Sequence, residues 1–76
     1  MSDKVLTFEL NPDDDEIDIH GNEQGFLEFI EAINRVLSSS QHDHLMTPDW
    51  GGSELTNEKQ SETSKLINKV TIHFWK

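Results

Sequence analysis

A chain of 76 residues, 33% of them hydrophobic, is expected to form one small domain, residues 1–76, with a thin core. A chain of this size buries only about 60% of its unfolded surface. It contains no cysteine, which excludes a disulfide framework and thiolate metal sites and suits a reducing compartment. No apolar run approaches the roughly 18 residues of a membrane span, and the N-terminus lacks the basic and apolar regions of a signal peptide. A soluble, cytoplasmic protein is expected.

The formal charge is −9, and it is unevenly spread: residues 1–31 hold ten carboxylates against Lys4 alone, whereas residues 32–76 hold five charges of each sign. Such a field repels nucleic acid and anionic membrane and attracts a basic protein surface. Solubility alone is the competing explanation for the acidity.

In chain order, Lys4 to Leu10 alternates as a strand, with Leu6, Phe8 and Leu10 on the core face and Val5, Thr7 and Glu9 on the other. Asn11-Pro12-Asp13-Asp14-Asp15 then forms a hairpin loop. Glu16 to His20 resumes the alternation, with Ile17 and Ile19 inward and Glu16, Asp18 and His20 outward, antiparallel to the first strand. Asn22 is an N-cap and Glu23 favours the positive end of a helix that runs to about Ser38. Phe26, Phe29, Ile30, Ile33 and Leu37 form its apolar stripe, opposite Glu28, Glu31, Asn34 and Arg35. Glu31 and Arg35 are spaced for a weak surface pair.

Ser38 to Asp43 reads as a loop, and Leu45 and Met46 as a short third strand entering the turn Pro48–Gly52. Thr56 to Ser64 has no apolar residue, so a mobile connection is expected. From Lys65 a last strand places Leu66, Val70, Ile72 and Phe74 on one side and Thr71, His73 and Trp75 on the other, with Asn68 interrupting it.

The order β-β-α-β-β predicts an α+β fold: a four-stranded, mainly antiparallel sheet with one amphipathic helix packed on one face. The second face is then solvated, paired with another copy, or used for binding. Its expected occupants are Thr7, Glu9, Glu16, Asp18, His20, Thr71, His73 and Trp75.

Chemistry finds little support. His42-Asp43-His44, with His20 and His73 elsewhere, invites a metal reading, but histidines two apart on a loop or edge strand more often face solvent, and no metal site is assigned. The carboxylates Asp13 to Glu16 lack the alternation and glycine of a calcium loop. There is no nucleophile elbow or phosphate loop, so neither a cofactor nor an enzyme is expected.

The densest stretch is HLMTPDWGGSEL, residues 44–55. Pro48 directs Thr47 to extended geometry, and Gly51 and Gly52 let the chain reverse beside Trp50. Trp50 has two readings: a lid folded back on the core, which is the favoured one, or an exposed anchor for a partner. This stretch, followed by KLINKVTIHFW over residues 65–75, resembles the immunity protein 32 family of bacterial polymorphic toxin systems. The resemblance implies a small α+β protein encoded beside a toxin and protecting its producer by binding that toxin.

The acidity fits a basic toxin, for example a nuclease, as the partner. Asp13, Asp14, Asp15, Glu16 and Asp18 are the expected contact residues, with Trp75 or Trp50 as apolar anchor. His44, Pro48, Trp50, Gly51 and Gly52 are the family signature and are expected to clamp the loop onto the core, so Trp50→Ala should cost about 3 kcal/mol or more. The alternative is a small acidic interaction or dimerisation domain, monomeric or paired through its open sheet face.

Overall fold

The computed structural model describes residues 3–38 and 42–75. Strand β1 (Leu6–Asn11) and strand β2 (Glu16–Gly21) form an antiparallel hairpin, followed by helix α1 (Glu23–Ser38), strand β3 (His42–Met46), a 3-10 turn (Pro48–Trp50), a two-residue strand β4 (Lys65–Leu66) and strand β5 (Lys69–His73). The fold is α+β, with one helix and antiparallel strands. The strands occupy two sheets rather than one, in the orders β2-β1-β4 and β3-β5.

The division has a specific cause at Asn68. Lys65 and Leu66 pair with Leu10 and Glu9 of β1, and the Ile67 N–H still donates to the Phe8 carbonyl. One residue later the chain changes partner: the Asn68 carbonyl accepts from the Thr47 N–H, and the Thr47 hydroxyl donates to Asn68 Oδ1 at 2.7 Å. From Lys69 the strand pairs with β3, register Met46↔Lys69 to His42↔His73. The place left on β1 goes to Thr56, whose N–H donates to the Leu6 carbonyl and whose hydroxyl oxygen accepts from the Leu6 N–H.

Asn22 caps α1 as its sequence position predicts. Its Oδ1 accepts from the Gly25 N–H at 2.9 Å and also from the Val5 N–H at 3.1 Å, so the cap fastens the helix to the chain entering β1. The approach is close. A Cβ at Gly25 would lie 1.9 Å from the Val5 carbonyl oxygen, so only glycine fits there. Ala32 and Val36 continue that line and are buried, and Phe29 packs edge-on against Phe8 with ring centroids 5.5 Å apart.

The helix therefore faces the sheet along Gly25, Phe29, Ala32 and Val36, about 100° round from the expected stripe. Of that stripe only Phe29 meets the core; Phe26, Ile30, Ile33 and Leu37 are exposed. Ile17 and Ile19, expected inward, lie on the helix side of β2 but are also exposed. The core consists of Leu6, Phe8, Ala32, Leu45 and Leu55, with Phe29, Ile67, Val70 and Ile72 packed on it.

The opposite face of β1 departs from expectation too. Thr7 and Glu9 are fully buried, not open to solvent. Glu9 Oε2 accepts from the Gln60 N–H at 2.8 Å and the Thr7 hydroxyl at 2.6 Å, and Oε1 accepts from the Ser61 N–H at 3.0 Å. The polar segment expected to be mobile is thus held against the sheet by a carboxylate. Burial pushes the Glu9 carboxyl up, but the Thr7 hydroxyl, the two N–H donors and nearby His20 together bring it below its ordinary 4.5.

With the folded value below the unfolded one, the stabilisation from Glu9 is fully present above pH 4.5 and fades as the pH falls through the folded value. Glu9→Gln replaces one acceptor oxygen with an amide donor and orphans a buried hydrogen-bond partner, at a cost of about 1–3 kcal/mol. In urea titrations at neutral pH, Glu9→Gln should unfold earlier than wild type, and the gap between the two should close in acid.

Candidate partner-binding surface

The expected contact residues fall in two separate places. Asp13, Asp14 and Asp15 form the exposed tip of the β1–β2 hairpin, with Glu16 opening β2. Asn11 shapes this tip: its Oδ1 accepts from the Asp13 N–H and its Nδ2 donates to Asp14 Oδ2 at 3.0 Å. Asp15 takes a left-handed φ of 52°, which aspartate tolerates better than most residues. None of these four carboxylates forms an ion pair among the described residues. Asp18 is half-buried on the Glu9 side of the hairpin, opposite the helix. Trp75 follows β5 in the other sheet and is 84% exposed. The fold does not gather the acidic tip and Trp75 onto one sheet.

The expected open face is divided in the same way. Its Thr7 and Glu9 part lies under residues 57–64, leaving Thr71 and His73 on the outer side of the β3–β5 pair. There the register sets His73 opposite His42 and Thr71 opposite His44. His42 and His44 rings are 5.2 Å apart by centroid, His42 and His73 6.3 Å, and His44 Nδ1 lies 3.1 Å from the Thr71 hydroxyl. Among the described residues no group of three His, Asp or Glu side chains is arranged to hold a metal ion. No helix there is long and apolar enough to cross a membrane.

The signature stretch is built as a clasp. The Thr47 carbonyl accepts from the Trp50 and Gly52 N–H groups, and the Leu55 N–H returns to the Met46 carbonyl. Glu54 Oε1 accepts from the N–H groups of Met46 and Ser53. Lys4 Nζ donates to both the Ser53 carbonyl and Glu28 Oε1, tying the clasp to α1. The Lys4 hydrogen bond holds the Glu28 carboxyl below its ordinary value. Leu55 and Thr47 are buried, whereas Trp50 is 57% exposed. The lid reading of Trp50 is therefore corrected: Leu55, not the indole, closes this end of the core.

Beside the clasp a cavity of about 140 Å³ is lined by Leu6, Leu45, Glu28, Glu31, Arg35 and Glu54. Arg35 reaches across to Asp43 Oδ2 at 3.2 Å. The polar line of the helix thus faces β3, and its exposed apolar line, Phe26, Ile30, Ile33 and Leu37, faces β2.

The family model of immunity protein 32 matches residues 16–70, most of the chain and the whole of the clasp. The chain belongs to the immunity protein 32 family. The match begins at Glu16, so Asp13, Asp14 and Asp15 precede it and Trp75 follows it. No curated protein and no solved structure matches the chain. The family name implies binding to a cognate toxin.

The exposed apolar line was the main feature missed from the sequence. Its signal was the width of the apolar arc on α1: two adjacent lines, one with Gly25 and Ala32, the other entirely large, exceed what one narrow sheet covers.

Replacements within the clasp should separate by burial. Leu55→Ala should cost about 2–5 kcal/mol, and Trp50→Ala about 1 kcal/mol or less. A Cβ at Gly52 would lie 2.5 Å from the Met46 carbonyl oxygen, whereas at Gly51, with φ 86°, it meets nothing within 4 Å. Gly52→Ala should therefore destabilise more than Gly51→Ala, whose left-handed backbone costs about 1–2 kcal/mol. Chemical denaturation of the four variants tests the ranking.

Proposed function

We propose that this immunity protein neutralises a toxin with a basic surface, such as a nuclease, by binding it inside the producing cell without chemistry of its own. The observation that carries the reading is the acidic hairpin tip. Asp13, Asp14, Asp15 and Glu16 are exposed, consecutive and without an ion pair among the described residues, on a turn already fixed by Asn11. Carboxylates left unneutralised in the free protein remain available to a cationic partner. A nuclease surface is such a partner, because it must attract phosphate.

Charges in this position act chiefly on the encounter. Steering lifts association above the roughly 10⁵–10⁶ M⁻¹s⁻¹ of uncharged pairs, and salt screens the gain within a Debye length of about 8–10 Å. The turn is short and preorganised, so few degrees of freedom are lost when the carboxylates engage.

Replacing Asp13, Asp14 and Asp15 by Asn and Glu16 by Gln should slow toxin association by about tenfold or more at low salt and flatten its salt dependence. Stopped-flow mixing across an ionic-strength series measures both effects. Wild-type association kinetics in the variant would remove the steering role.

A further inference from the structure

We propose that the apolar gully between α1 and β2 receives an apolar ridge of the cognate toxin, one flanked by lysine or arginine side chains. This rests on the toxin-binding reading and names the surface that holds the complex together. The helix is set off-centre over the sheet: the line Gly25, Phe29, Ala32 and Val36 meets the core, and Arg35 and Glu28 engage the β3 side through Asp43 and Lys4. The next line round, Phe26, Ile30, Ile33 and Leu37, lies about 100° from the core-facing line, on the side away from Lys4 and Asp43. The hairpin register places Ile17 and Ile19 opposite Leu10 and Phe8, on the helix-bearing face of β2. At one end Phe26 covers Gly21, where a Cβ would come within 3.0 Å of its ring.

Packing does not account for these side chains. Ile17 is 59%, Ile30 52% and Leu37 55% exposed, and none of them belongs to the core cluster. Exposed large apolar residues grouped on one side of a small protein mark an interaction surface. The rim chooses among occupants. Asp15 and Glu16 stand at the Ile17 end and Glu23 at the Phe26 end. A second copy would bring an identical carboxylate-rimmed gully against this one, so like charges would meet. A ridge flanked by cations satisfies both the apolar floor and the acidic ends. The division of roles follows: rim carboxylates govern encounter, and the desolvated apolar contacts govern residence time.

The test uses the full chain and, as probe, an inactivated form of the toxin domain encoded directly beside it. Ile19→Ser combined with Ile30→Ser should leave folding intact, because both side chains are already about half exposed. It should weaken binding by about 30-fold or more. The loss should lie in dissociation, with association changed less than about threefold. On addition of toxin to wild type, amide NMR shifts should move at residues 17–19 and 26–33, a readout that does not depend on any variant folding. Wild-type dissociation in the double variant, or shifts confined to β3 and β5, would overturn the gully while leaving toxin binding in place. A wild-type dimer abolished by the double variant would make the gully a seam between copies and overturn it as well. A wild-type protein that does not bind this toxin would remove the underlying reading, and the gully with it.

Discussion

The buried carboxylate of Glu9 takes the place of a second apolar layer, and much of the architecture follows from that substitution. A carboxylate removed from water costs several kcal/mol unless its oxygens are fully hydrogen-bonded. Here the Thr7 hydroxyl and the N–H groups of Gln60 and Ser61 supply three donors. Charge-assisted bonds of this kind are roughly twice as strong as neutral ones. They hold down a segment that contains no apolar side chain and could not be ordered by hydrophobic burial. One face of β1 is thereby closed by polar chemistry, and the apolar core cluster forms on the other face.

On that other face the placement of the helix depends on distance more than on hydrophobicity. Gly25 allows the helix backbone to approach the Val5 carbonyl, and Ala32 keeps it close. Reading the sequence by size of side chain selects Phe26, Phe29, Ile30, Ile33 and Leu37 as the buried stripe, of which only Phe29 meets the core. The line with the small residues Gly25 and Ala32 wins because it lets more of the helix touch the sheet. Periodicity thus identified the helix, its Asn22 cap and its extent, all set by neighbours a few residues apart, but not its rotation, which is a tertiary property.

Other features divide along the same line. The hairpin was legible from alternation. The partner exchange at Asn68 was legible only as a break, because the residue that fixes it, Thr47, lies 21 positions away. Glu9 was assigned to solvent by its parity, since nothing local says that Gln60 and Ser61 will supply donors. Trp50 misled by its size: a proline–glycine turn around a tryptophan suggests a lid, yet Leu55 fills the core and the indole stays outside. Of the candidate surface, the acidic tip was legible because charge needs no fold to be seen, whereas the gully exists only once α1 and β2 are side by side.

The clasp and the gully engage different lines of α1: Lys4 ties the clasp to Glu28, whereas the gully runs along Phe26, Ile30, Ile33 and Leu37. Residues 44–55 pair with β5, bond to Asn68 and to Lys4, which also holds Glu28 of α1, and pack Leu45 and Leu55 with Leu6; among the described residues they make no hydrogen bond to β2. The exposed side chains of β2 and of the outer line of α1 are thus separate from the bonds that hold the clasp. An exposed apolar surface carries its own hazard, since it promotes association with any apolar neighbour. The net charge of −9 opposes self-association and, through the same carboxylates, favours a basic partner. In the proposed complex, the acidity that opposes pairing of two gullies is also what selects a basic occupant.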